Sequence, residues 1–123
     1  MERQVLELVN RHRAGLGLQP LTDNGMIAEA AQKHSKDMAS GRVPFGHEGF
    51  EERTGKLMRA INGANASAEN VAYGARTAEE VVDMWLHSPG HRKNIEGNYT
   101  LSGIGIATAR DGTLYFTQIF IKG

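Results

Sequence analysis

Three stretches of the chain place ionisable side chains beside glycine- or proline-rich backbone, where functional groups usually project. The stretches are Gly46-His47-Glu48-Gly49, Ala68-Glu69-Asn70-Val71-Ala72-Tyr73-Gly74 and Trp85-Leu86-His87-Ser88-Pro89-Gly90-His91-Arg92-Lys93-Asn94-Ile95. Neutral imidazoles are good ligands for zinc-like divalent cations, and a nearby carboxylate adds negative charge. His47 and His91 together with Glu69 would be enough for an open zinc site that keeps a water position.

The same residue types also allow arrangements without a metal. Glu69 would accept a hydrogen bond from one imidazole and fix its tautomer, or accept backbone N–H bonds and pin its own loop. The histidines would equally serve as hydrogen-bonding loop caps. A base paired with Ser88 is a further option. Because Pro89 follows directly, a role at a turn or helix end is favoured for Ser88. The residues alone leave these alternatives open.

Composition excludes several classes of function. The chain has 14 basic and 14 acidic side chains and a formal net charge of zero, so it lacks the basic surface that nucleic-acid binding needs. No apolar run approaches the roughly 20 residues of a transmembrane helix. The charged, amphipathic start does not resemble a signal peptide, which suggests either a cytosolic protein or a mature domain of a longer secreted one. With no cysteine present, disulfides and thiolate metal sites are ruled out.

Helical periodicity dominates the first three quarters of the chain. The first helix, over residues 2–14, carries Val5 and Val9 on its apolar stripe and is expected to expose Arg13. Further helices are predicted from a cap within 22–24 to about residue 40, over 50–61 and over 77–88, with one short helical turn from Pro89 through Asn94. In the fourth segment Thr77 and Glu80 form a capping box, and Trp85 is expected to be a core anchor.

The end of the chain has strand periodicity instead. LSGIGIATA and TLYFTQIFI alternate with period two around Arg110-Asp111-Gly112, which predicts an antiparallel hairpin. Gly103 and Gly105 leave one face of the first strand bare, so another element can approach closely there. Helices followed by a hairpin favour an α+β fold, with helices packed on a small antiparallel sheet.

Specific strings in the sequence resemble the bacterial branch of the CAP superfamily, which includes cysteine-rich secretory proteins, antigen 5 and pathogenesis-related proteins. These strings are ENVAYG at 69–74 and the W-x-x-S-P-G-H-R-x-N-I pattern at 85–95. NRHRAGLGLQPLT at 10–22, AAQKHSKDMA at 30–39 and LYFTQIF at 114–120 follow the same family order. The resemblance implies one SCP-like domain over residues 1–123, an α-β-α sandwich with a three- or four-stranded antiparallel sheet between helical layers.

The resemblance also implies a cleft lined by two histidines and two acidic residues. By motif position these are His47, Glu69 and His91, while Ser88 occupies the place of the second acid. It further implies a secreted, extracellular or cell-surface protein. The expected function is a binding module for a lipid-like, small-molecule or cell-surface ligand. A divalent cation, zinc for preference, would bind at His47 and His91, with no other cofactor. The alternative is a zinc-dependent hydrolase or protease that uses His47, Glu69 and His91.

Overall fold

The structure, a computed structural model, describes residues 1–123. The elements in chain order are α1 (Glu2–Gly15), β1 (Thr22–Asp23), α2 (Gly25–Ala39), α3 (Phe50–Ala60), β2 (Ala66–Tyr73), α4 (Ala78–Leu86), α5 (Pro89–Ile95), β3 (Leu101–Thr108) and β4 (Leu114–Lys122). Helices cover both faces of one sheet, which confirms the α-β-α sandwich and the α+β class. None of the helices has the length and apolarity that a membrane span requires.

The four strands lie in the order β1-β3-β4-β2. The hairpin predicted at the chain end is present, because β3 and β4 pair antiparallel around residues 109–113, and β2 pairs antiparallel with β4. The expectation of a purely antiparallel sheet is wrong, since β1 runs parallel to β3. The loop after α1 returns the chain along β3, where Thr22 N–H donates to the carbonyl of Thr100 and Asn24 N–H to that of Ser102.

Successive side chains of each strand point to opposite faces of the sheet, so the strands contribute to two separate hydrophobic clusters, one on each face. The larger lies beneath α1, α4 and α5, where Phe116 and Phe120 of β4 meet Trp85, which is 1% exposed. The smaller lies beneath α2 and α3, where Ile119 and Ile121 of the same strand pack. The prediction that Trp85 anchors the core is confirmed. Its indole Nε1 also donates to the carbonyl of Val71, at the free edge of β2.

Helix α2 lies unusually close to β3 because two strand residues have no side chain. A Cβ on Gly103 would lie 2.2 Å from the backbone nitrogen of Ala28, and one on Gly105 would lie 2.2 Å from that of Gln32. This confirms the close approach predicted from the two glycines. The Gln32 side chain then reaches the backbone N–H and C=O of Ile106, which ties the helix to the strand.

Two local details differ from the sequence prediction. Helix α5 is a full helix that continues to Ile95, beyond the short turn expected to end at Asn94. Thr77 caps α4 as predicted by accepting from the N–H of Glu80, but the Glu80 carboxylate accepts from the N–H of Arg76. The reciprocal bond of a capping box is therefore displaced by one residue.

Arg13 was predicted to be exposed, and this was wrong: it is 2% exposed. It lies one turn beyond Val9 on the stripe that α1 turns toward the core. Its guanidinium donates to the carbonyls of Gln19, Ile95, Gly97 and Tyr99. Burial lowers the pKa of Arg13. Arg13 therefore joins the loop after α1 to the turn after α5.

Replacing Gly105 with alanine tests the close packing of α2 on the sheet. The added methyl meets helix backbone, which cannot move aside as a flexible side chain can, so we expect a loss of about 3 kcal/mol or more of unfolding free energy. Gly15→Ala is the matched control, because nothing lies within 4 Å of its Cβ position, and it should be neutral or slightly stabilising. Urea unfolding of both variants measures the difference, and equal stabilities would contradict the packing.

Candidate functional site

The His47 and Glu69 side chains lie together at the outer edge of the sheet. His47 Nδ1 is 2.9 Å from Glu69 Oε1. The Glu69 side chain has no exposed surface, whereas that of His47 is 49% exposed. Because an ionised carboxylate only accepts hydrogen bonds, Nδ1 carries the proton and Nε2 is left as the ring's lone-pair nitrogen. His47 therefore combines a buried anchor with a half-exposed ring.

A third residue, Arg53, completes this cluster and was not identified from the sequence. Its Nε donates to Glu69 Oε2 at 2.6 Å and its Nη2 donates to Glu69 Oε1 at 2.7 Å. The two side chains therefore form a bidentate ion pair. Its remaining amino group donates to the carbonyl of Glu48. Both oxygens of Glu69 are thus occupied, one by Arg53 alone and one shared with His47.

The loop that carries His47 connects α2 to α3 and is held in place by a side chain of α2. Gly46 has φ 146°, a backbone conformation that side chains rarely permit, and Gly49 at φ 77° begins α3. His34 of α2 donates from Nε2 to the carbonyl of Gly46 at 2.7 Å. Burial lowers the pKa of His34, which the bond to Gly46 partly offsets. His34 is buried, and its bond to Gly46 fixes the loop.

Helix α5 brings His91 to the same edge of the sheet. Asn70 donates to the carbonyl of His91, and Asn94 donates to the Asn70 side chain. The His91 ring is half-buried, and that burial lowers its pKa. The charge of a protonated His47 lowers the pKa of His91 further.

Ser88 is the N-cap residue of α5. Its side chain makes no capping hydrogen bond, and its N–H donates to the carbonyl of Trp85. It therefore lies at a helix end, the position favoured by the proline that follows. A serine hydroxyl adds no negative charge where the resembled family has an acid.

The donor set for a cation is smaller than the sequence suggested. Nε2 of His47 and the ring of His91 are suitable ligands by type. Glu69 is not, because its oxygens are paired and inaccessible. Across the chain, no three His, Cys, Asp or Glu side chains are grouped so that they could hold one metal ion. The candidate protein ligands for a cation are therefore reduced to the two imidazoles. Water or a bound molecule would have to complete the coordination.

A groove lies beside this cluster, between α2 and α3. It measures about 600 Å³, has Ala30 and Leu57 on its floor and is rimmed by charges of both signs. His34 and Arg53 line it, whereas His47, Glu69 and His91 do not. We place the candidate site at the histidines, because polar groups of defined geometry converge there.

A mixed sheet between two helical layers, with a histidine and a buried glutamate joined at its edge, defines an SCP-like domain. The CAP family, described as the cysteine-rich secretory protein family, matches residues 6–120. This chain belongs to the CAP family.

Relatives and solved structures agree with that assignment. The chain is 35% identical to YkwD of Bacillus subtilis over 122 residues, covering 98% of this chain and 46% of YkwD. An extracellular SCP-domain protein from Bacillus anthracis matches with a TM-score of 0.80 and 30% identity, over 99% of this chain and 40% of that one. An outer surface protein of Borrelia burgdorferi shares the fold, with a TM-score of 0.80 at 19% identity over 98% of this chain and 90% of that one. The chain spans less than half the length of the two Bacillus proteins.

Single replacements within the Glu69–Arg53 pair should each be strongly destabilising. Glu69→Gln leaves the guanidinium unmatched, and Arg53→Met leaves a buried carboxylate unmatched, so each should cost about 3–5 kcal/mol. The double variant should lose clearly less than the sum, because neither charge is then stranded. Urea unfolding of the four proteins gives the coupling free energy. Additive losses would show that the two side chains do not depend on each other.

Proposed function

We propose that this CAP domain is a binding module of an extracellular or cell-surface protein, and that its ligand is held at the edge of the sheet between His47 and His91. One observation carries the proposal. Glu69, itself held by Arg53, bonds the His47 ring at Nδ1, and 49% of the His47 side chain stays exposed. A side chain pre-organised in this way loses little conformational entropy when it binds.

The chemistry favours binding over hydrolysis. A hydrolase built from these residues would need Glu69 to orient or deprotonate a water. Its carboxylate has no exposed surface and is already bonded to Arg53 and His47. Ser88 supplies no replacement carboxylate. The hydrolase alternative therefore gains no support from the geometry, whereas an orienting role for Glu69 follows directly from its contacts.

A divalent cation is proposed as an auxiliary at this site. Two imidazoles would hold it, and the ligand or water would complete its coordination. Bound there, the cation would supply positive charge for a carboxylate, phosphate or hydroxyl of the ligand. Such a site is expected to be weak, because zinc sites usually draw three or four ligands from the protein.

An extracellular location is proposed from the similar proteins. The Bacillus anthracis structure is of an extracellular protein, and the Borrelia protein is an outer surface protein. Detection of the native protein in the culture medium or on intact cells, against a cytoplasmic marker, tests this part separately.

Zinc titration followed by NMR tests the histidine site. We expect the ring resonances of His47 and His91 to shift together, and His47→Ala and His91→Ala each to weaken binding. The apparent affinity should fall below about pH 6, because only neutral imidazole binds metal. His87→Ala is the matched control, since that ring is largely exposed and bonded to Asp83 within its own helix. Unchanged affinity in both site variants would rule out a shared site.

Restoring an acid at position 88 should strengthen the same site. Ser88→Glu adds a carboxylate at the N-cap of α5, and a cation prefers the added negative charge. Ser88→Gln is the control of matched size without charge. We expect tighter zinc binding in Ser88→Glu alone, measured by calorimetry. Equal affinities in the two variants would place residue 88 out of reach of the cation.

A further inference from the structure

Three aromatic rings form a surface cluster next to the histidine loop. Phe45 lies edge-on to Tyr73, with ring centroids 4.8 Å apart and planes at 72°. Tyr73 stacks on Tyr115 at 5.7 Å with planes only 23° apart. Phe45 also meets Tyr115 at 6.5 Å. Because three separate elements contribute the rings, the cluster is a product of the tertiary fold.

The cluster does not belong to either hydrophobic core. None of its three members packs into the cluster around Trp85 or into the cluster beneath α2 and α3. Tyr73 is 52% exposed and Phe45 is 47% exposed. Aromatic side chains that serve only stability bury most of their surface. These rings therefore offer surface that the folded domain does not use.

The rings are held in fixed positions. Tyr73 and Tyr115 are direct cross-strand partners of β2 and β4, and the next residue across the sheet is the small Ala107. Phe45 precedes Gly46, whose carbonyl is bonded to His34. The same loop therefore positions Phe45 and, two residues later, His47. A rigid platform of this kind loses little entropy when a ligand stacks on it.

We propose that Phe45, Tyr73 and Tyr115 form a binding site for a pyranose ring of a β-linked, gluco-configured polysaccharide. Such a ring carries its hydroxyls equatorially and its C–H bonds on its two faces. The polarised C–H groups meet the negative face of an aromatic ring. The phenolic hydroxyls of the two tyrosines can exchange hydrogen bonds with the sugar hydroxyls. The site is separate in its chemistry from the two imidazoles and does not depend on a metal.

Other occupants fit these rings less well. An acyl chain needs an enclosed apolar channel, whereas Tyr73 and Phe45 are each about half exposed. Stacked nucleic-acid bases need a basic groove for their backbone, and this chain has no net charge. A stable protein interface needs about 1,000 Å² of contact. The other large exposed apolar side chains lie elsewhere on the chain and do not extend the cluster toward an interface of that size; they are Met1, Leu16, Met26 and Met84.

Oligosaccharide titration of the isotopically labelled chain tests the proposal. The probes are chitopentaose, made of β-1,4-linked N-acetylglucosamine, and cellopentaose. We expect ring shifts at Tyr73 and Tyr115 with a Kd on the order of 1 mM for at least one probe. Tyr73→Ala and Phe45→Ala should each weaken binding roughly tenfold. Tyr73→Trp, which keeps a stacking face, should retain it.

Two controls separate this site from the histidine site and from a general surface effect. Met84→Ala removes a side chain that is 43% exposed, on α4, and should leave oligosaccharide binding unchanged. Tyr73→Ala should leave zinc titration at His47 and His91 unchanged, whereas His47→Ala should leave tyrosine shifts intact. The spectra of each variant show directly whether it is folded.

Three results would overturn the proposal. The first is the absence of tyrosine shifts with both probes at about 10 mM, well above the expected Kd. The second is oligosaccharide binding that survives Tyr73→Ala and Phe45→Ala at full strength. The third is a decaproline peptide that shifts both tyrosine rings while neither oligosaccharide does, which would reassign the rings to peptide recognition.

Discussion

A carboxylate with no exposed surface is stable in a protein interior only when its charge is matched at close range. Glu69 meets that condition through Arg53, and the site depends on this pair. The pair requires α3 to begin where it does, which requires the turn at Gly49. It occupies both carboxylate oxygens, so His47 is oriented by a partner that is itself held still. Without Arg53 the same glutamate would be an unmatched buried charge, and the loop above it would lose its anchor.

The sequence was sufficient for most of the fold, because the fold follows from periodicity. Alternation around residues 110–112 predicted the hairpin, and the two glycines of β3 predicted the close approach of α2. Strand β1 was missed because two residues carry no periodic signal, and their pairing with β3 is set by the distant end of the chain. Arg13 was misplaced because an arginine is ordinarily solvated. Only the backbone carbonyls gathered around it, up to 86 positions away, make its burial tolerable.

The candidate site was predictable in part, from ionisable residues beside glycine-rich backbone and from the resemblance. His47, Glu69 and His91 were selected by motif position, and the structure joins His47 to Glu69 directly. The sequence could not show that Glu69 is paired with Arg53, since the two lie 16 positions apart and nothing in their spacing indicates a contact. That pairing changes the chemistry, because it turns a candidate base into an orienting group. Position 88 carries a serine, so the second acid that the resembled family would place there is absent.

Both hydrophobic clusters depend on β4, which contributes Phe116 and Phe120 to one face and Ile119 and Ile121 to the other. The strand lies inside the sheet, between β3 and β2, yet it is the final element in chain order. The ribosome therefore has to extend the polypeptide to about residue 121 before either hydrophobic cluster is complete. Up to that point both clusters lack the residues that β4 contributes. Folding of this domain is consequently a late and concerted event, dominated by contacts between distant parts of the chain.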